Sequence, residues 1–102
     1  MEPVVVKHID PAGLKALQSS CLVVDIRDDQ SFNAGHIPDA IQLTNENAFE
    51  FLAQTPREQT VVVCCYHGIS SISAASFLLE QGFQDVYSLD GGYEAWAMAE
   101  QS

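Results

Sequence analysis

The sequence predicts an α/β fold, a three-layer domain in which a five-stranded, mainly parallel sheet is flanked by helices. Two observations carry this expectation. The run Val61-Val62-Val63-Cys64 sets β-branched residues side by side, as in a strand buried on both faces at the centre of a parallel sheet. Short apolar runs then alternate along the chain with helical segments of about ten residues, the pattern of right-handed crossovers. Ligands of such sheets bind beyond the carboxyl ends of the strands.

Residues 4–9 are β-branched and read as the first strand. Asp10 is placed to cap a helix with Pro11 at its first position. Leu14 and Leu17 share a face of that helix, which runs out near Ser19-Ser20. Residues 21–26 form a second apolar run, followed by a short helix over 30–34 that Gly35 closes as the C-cap residue. A turn from His36 leads to a third strand ending near Leu43. Residues 45–54 carry Phe49 and Leu52 at helical spacing, and Thr55-Pro56 stops that helix.

After the central strand the chain breaks at Gly68. Ser70-Ser71 offers capping chemistry for a helix over 72–81, with Ala75, Leu78 and Leu79 inward and Gly82 at its end. Residues 86–89 are the fifth strand. Asp90-Gly91-Gly92 turns the chain into a last helix over 93–99, which packs Trp96; Trp96 and Phe83 are expected in the core.

A chain of 102 residues suits one domain spanning 1–102, with a single core. Apolar residues make up 47% and charged residues 18%, a balance that argues against disorder. The net charge of −10 leaves only Lys7, Lys15, Arg27 and Arg57 as strong bases. Four dispersed cations build no basic patch, so nucleic acid and anionic membrane surfaces are poor partners. Met1-Glu2-Pro3 lacks the basic region of an export signal, and no apolar run approaches membrane-spanning length. An odd cysteine count of three points to a reducing compartment, and the expected location is the cytoplasm. Cys64-Cys65 lacks metal-ligand spacing and the three histidines are scattered, which disfavours zinc.

Cys65 is delivered at the carboxyl end of the central strand, before a short loop and a helix start. Backbone N–H groups and the positive end of a helix dipole converge at such a place, which favours anions and a thiolate. On these grounds Cys65 is either a reactive thiol or a buried space-filler. Cys64 and Cys21 lie within apolar runs and read as core.

Four motifs then stand in order: Asp25-Ile26-Arg27-Asp28 with Phe32 following; Gly35-His36-Ile37-Pro38-Asp39-Ala40; Cys65-Tyr66-His67-Gly68-Ile69-Ser70-Ser71; and Leu89-Asp90-Gly91-Gly92-Tyr93-Glu94-Ala95-Trp96. Together they resemble the single-domain rhodaneses, thiosulfate sulfurtransferases, over nearly the whole chain. The resemblance implies that Cys65 attacks the outer sulfur of thiosulfate, releases sulfite and carries the sulfur as a persulfide. A thiophilic acceptor, cyanide or a dithiol such as reduced thioredoxin, would then remove it, in covalent catalysis that needs no cofactor and no metal. Tyr66, His67, Gly68, Ile69, Ser70 and Ser71 are the implied substrate-binding loop.

One departure stands out. Many rhodaneses end this loop with arginine where this chain has Ser70, so loop amides, the helix dipole and the Ser70 and Ser71 hydroxyls are left to hold the dianion. Asp25 and Arg27 are expected to anchor the framework and His36 to stabilise a turn, while Tyr66 either lines the pocket mouth or shields the loop. His67 is placed to contact substrate, although the resemblance assigns it no acid–base role. A phosphatase or arsenate reductase of related fold needs cysteine, five residues and then arginine; counting from Cys65 lands on Ser71. Two other functions compete: a persulfide carrier loaded by a partner protein, and a silent binding module, which the presence of Cys65 argues against.

Overall fold

A computed structural model describes residues 5–17 and 20–101. The elements in chain order are β1 (Lys7–Ile9), α1 (Pro11–Leu17), β2 (Leu22–Asp25), α2 (Asp29–Ala34), β3 (Ile41–Gln42), α3 (Ala48–Gln54), β4 (Val61–Cys64), α4 (Ser70–Glu80), β5 (Val86–Leu89) and α5 (Gly92–Glu100). The five strands form one sheet in the order β1-β5-β4-β2-β3. Every pairing among the described residues is parallel. In register, Val63 of β4 lies between Val24 of β2 and Ser88 of β5.

The period-two alternation of β4 divides the core. Val62 and Cys64 face a cluster with Val23, Ile37 and Leu14 of α1, against which Tyr93 and Trp96 of α5 pack. Val61 and Val63 face the opposite cluster, with Phe51 of α3 and Ala75 and Leu78 of α4. Helices thus cover both faces, the three-layer arrangement expected of a strand apolar at every position. Burying each valine of β4, all inaccessible to solvent, contributes about 1.5–3 kcal/mol.

Several boundaries differ from the sequence expectation. The first strand is shorter than 4–9: Val5 and Val6 precede it, and Val4 lies outside the described residues. Asp10 does cap α1, its carboxylate accepting the Gly13 amide at 2.8 Å; α1 is assigned through Leu17, and Ser19 lies outside the described residues. The helix expected over 45–54 begins only at Ala48. Thr44 and Asn47 first close a polar turn, with the Thr44 amide on Asn47 Oδ1 at 2.7 Å and Asn47 Nδ2 on the Gln42 carbonyl at 2.7 Å. The helix then turns Phe51 onto the sheet, where it stacks on Phe83, and leaves Phe49 86% exposed.

Gly35 ends α2 in extended rather than left-handed conformation (φ 167°). Glycine is needed there for space, because a Cβ would lie 2.8 Å from Tyr93 Oη. Phe83 is buried, whereas Trp96 is only half-buried beside Tyr93, since α5 meets the rest of the molecule on one side.

At the carboxyl end of β2, Asp25 is fully buried and accepts from the Arg27 guanidinium through both carboxylate oxygens, at 3.0, 3.1 and 2.8 Å. Arg27 also donates to the Gly35 carbonyl at 2.7 Å and lies over the Tyr93 ring at 4.0 Å. The pair ties β2, α2 and α5 together, the anchoring role expected of it. Arg27→Ala, which leaves the Asp25 carboxylate buried without its cation, is predicted to lower the free energy of urea unfolding by about 3–5 kcal/mol.

Candidate active site

β4 ends at Cys64, whose side chain points into the core; the next residue begins the turn over the sheet end. Cys65 Sγ accepts the amides of Gly68 at 3.1 Å and Ser71 at 3.3 Å. The expected capping by Ser70 and Ser71 does not occur. Both lie inside α4, and its N-cap position, Ile69, makes no side-chain cap. An early helix amide needs an acceptor, and the Cys65 sulfur supplies it. The Ser71 hydroxyl is bonded instead to Ser88 Oγ at 2.7 Å, both groups fully buried, which fastens the first turn of α4 to β5.

The loop is gripped from its other side by α5. The Cys65 carbonyl accepts the Tyr93 amide at 2.7 Å, and the Tyr66 carbonyl accepts the Glu94 amide at 3.2 Å. This approach demands glycine twice. A Cβ on Gly92 (φ +62°) would stand 2.5 Å from the Cys65 carbonyl oxygen, and one on Gly68 (φ +87°) would stand 2.6 Å from the Gly91 nitrogen. The fourth motif therefore belongs to the site, although Asp90-Gly91-Gly92 reads in sequence only as a turn. Glycine repeated at a helix start is the one signal that marked it.

Tyr66, His67, Ile69 and Ser70 line a cavity of about 240 Å³ with Cys65. Larger depressions, of about 620 Å³ between Val5, His8 and α4 and about 520 Å³ around Ile26, Leu43 and Ala74, do not include Cys65. The Tyr66 hydroxyl is bonded to the Asp28 carboxylate and to Ser31 Oγ, at 2.7 Å for the latter, so the ring is moored to α2 at the cavity's edge. Neither Asp28 nor Ser31 was marked by sequence reasoning for this role. His67 is exposed and its Nδ1 lies 2.7 Å from Glu94 Oε2. Ile69 stands 76% exposed at the rim. His36 stabilises its turn as expected, with Nδ1 on the Phe32 carbonyl at 2.8 Å and its ring stacked on Phe32.

No guanidinium lines the Cys65 cavity. Arg27 is spent on Asp25 and Gly35, and Arg57 on the carbonyls of Leu52, Thr55 and Gln81. The two neighbouring thiols are driven apart by their surroundings. Burial pushes Cys65 up, but the Ser71 hydroxyl and the amides of Ser71, Gly68 and His67 outweigh it and hold the thiol below its ordinary value. Cys64 has no such donors; burial first, and then the Asp25 charge, push it up to about 12.

The shift gives a pH prediction. A lowered thiol stays ionised below the range of a free cysteine, so alkylation of Cys65 by iodoacetamide should remain on its plateau there. It should fall only as pH drops through the depressed folded value. Cys64 should stay unlabelled throughout the neutral range. Site-resolved mass spectrometry of labelled peptides checks both, and a Cys65 midpoint at or above that of a free thiol would contradict the assignment.

Comparison with known proteins agrees with this geometry. The rhodanese-like domain model matches residues 10–99. The chain is 58% identical over 77 residues, 76% of each protein, to the thiosulfate sulfurtransferase GlpE of Shewanella oneidensis. It resembles the crystal structure of a rhodanese-related protein from Thermoplasma volcanium with a TM-score of 0.80 at 25% identity, over 91% of this chain and 92% of that one. A Rhodopseudomonas palustris protein of unknown function, described as a possible tyrosine phosphatase, matches with a TM-score of 0.78 at 28% identity, over 93% and 82% of the two chains. Sheet, loop and sequence lead to one conclusion: this chain belongs to the rhodanese-like domain family.

Proposed function

We propose that this protein is a thiosulfate sulfurtransferase that works through a Cys65 persulfide. The observation that carries the reading is the Cys65 sulfur receiving two backbone amides at the start of α4. Those donors favour the thiolate, which is both the attacking form of Cys65 and the form released when the sulfur is passed on. The thiolate attacks the outer sulfur of thiosulfate, the S–S bond breaks, and sulfite leaves with the electron pair. Cys65 is left as a persulfide anion.

The second half-reaction passes that sulfur to cyanide or to a small or protein-borne dithiol such as thioredoxin, and the thiolate returns. Tyr66 and Ile69 form the rim that an acceptor meets, while the Gly68 and Ser71 amides and the Ser70 side chain are disposed toward the anion. The 58% identity to GlpE of Shewanella oneidensis supports the choice of donor. The whole chain acts as one domain, in the cytoplasm; among the described residues no helix is long and apolar enough to cross a membrane.

A phosphatase reading lacks its cation, because Ser71 occupies the position where that chemistry requires arginine. The charge of −10 slows encounter with a dianion but does not govern its capture, since distant carboxylates are screened beyond about 8 Å at physiological salt.

Intact mass after incubation with thiosulfate tests the reaction. The protein should gain one sulfur atom that cyanide removes, Cys64→Ser should gain it too, and Cys65→Ser should not. Sulfur taken only from protein persulfides would identify a carrier instead.

Ser70 supplies a second prediction. It is exposed on the cavity wall, so Ser70→Arg places a cation where the dianion binds. A hydrogen bond to a charged group is worth about 1.5–3 kcal/mol, roughly ten- to a hundredfold in binding. The Michaelis constant for thiosulfate at fixed cyanide should fall by about tenfold or more, and an unchanged value in a folded, reactive variant would refute amide-limited capture.

A further inference from the structure

We propose that His67 is the general base that deprotonates the thiol acceptor, with Glu94 as its positioning residue. The inference rests on the sulfurtransferase reading above and concerns only its second half-reaction. His67 borders two cavities. It lines the one that holds Cys65, together with Tyr66, Ile69 and Ser70, and also the one of about 230 Å³ bounded by Gly91, Glu94 and Ala95. From the second side Glu94 Oε2 meets Nδ1 at 2.7 Å. A carboxylate can only accept, so the neutral ring carries its proton on Nδ1 and its lone pair on Nε2.

The backbone strengthens this placement. The His67 amide helps to hold the Cys65 thiol below its ordinary value, and the amide of the next residue, Gly68, donates to the sulfur at 3.1 Å. Glu94 is fixed from below, its own amide bonded to the Tyr66 carbonyl at 3.2 Å. One rigid junction, the start of α5 against the loop, therefore sets both members of the pair.

The chemistry of the two half-reactions is unequal. Thiosulfate arrives ionised and its sulfite leaves ionised, so loading moves no proton. An alkyl thiol arrives at neutral pH mostly protonated and is a weak nucleophile in that form. In the proposed step its S–H bond breaks and the proton goes to His67 Nε2. The acceptor sulfur bonds to the outer sulfur of the persulfide, the Cys65 S–S bond breaks, and the electron pair stays on Cys65 as thiolate. The imidazolium then gives its proton to water, to which the ring is 67% exposed. Because Cys65 is stabilised as an anion, it leaves without needing that proton.

The test measures discharge of persulfide-loaded protein to two thiols at neutral pH: dithiothreitol, mostly protonated, and 5-thio-2-nitrobenzoate, already ionised. General-base catalysis is worth about 10²–10⁴-fold, so His67→Gln should slow discharge to dithiothreitol by about 10²-fold and discharge to the ionised thiol far less. Glu94→Ala should show the same acceptor dependence at a smaller loss, and Glu94→Gln, which keeps an oxygen to accept from Nδ1, should restore most of it. Equal losses with both thiols would overturn the proposal, as would a loss in loading from thiosulfate matching that in discharge to dithiothreitol. Failure of the unsubstituted protein to load from thiosulfate would overturn the donor assignment alone, because persulfide made with inorganic polysulfide still tests His67.

Discussion

The carbonyls of Cys65 and Tyr66 end on the amides of Tyr93 and Glu94, and the rest of the site depends on that junction. Four early amides of a helix require acceptors, and at α5 two are satisfied by the loop that begins at Cys65. Gly92 lets the two backbones meet, with no room for a Cβ between them. The loop is then closed from above by α4, whose own early amide turns to the sulfur. Two helix starts thus hold one short segment, one by its carbonyls and the other by its side chain. A loop so fixed presents its remaining N–H groups without the cost of ordering them at the moment of reaction.

This arrangement explains how adjacent cysteines acquire opposite chemistry. Cys64 is the last residue of β4 and obeys the strand's alternation, so it enters an apolar cluster and stays protonated. Cys65 is the first residue beyond the strand and escapes that alternation. It is almost as inaccessible as its neighbour, at 3% against 0% exposed. Burial alone would raise both thiols; the donors around Cys65 reverse the sign for one of them. The same donors would suit a dianion in the absence of a local cation.

The framework beneath is polar and fully paired. No buried side-chain polar atom among the described residues lacks a partner. Asp25, Arg27 and Tyr93 stack at the carboxyl end of the sheet, and Tyr66 leans on the same arginine at 5.9 Å while its hydroxyl reaches α2. The first motif and the Cys65 loop are therefore one structural unit. Arginine is used here as a keystone rather than as a substrate clamp.

Much of this was legible in the sequence because its signals are local. A run of β-branched residues marks β4, Asp10-Pro11 marks the start of α1, and the break at Gly68 places Cys65 at a strand end; each acts over a few neighbouring residues. α3 begins later than the sequence suggests, since a side-chain turn at Thr44 and Asn47 precedes it, and Phe51 and Leu52 rather than the exposed Phe49 pack on the core. The cap of α4 differs from the local signal for a deeper reason. Serine is the better local candidate, yet the sulfur of a residue from the preceding strand end took the amide. The mooring of Tyr66 to Asp28 and Ser31, the pairing of His67 with Glu94, and the grip of α5 on the loop join segments far apart in the chain. The sequence alone determined which elements form and that Cys65 emerges at the end of the central strand. Only the tertiary structure decided its partners, since the strand order β1-β5-β4-β2-β3 brings the carboxyl ends of β2, β4 and β5 side by side, and hydrogen bonds between those ends exist only once the sheet has assembled.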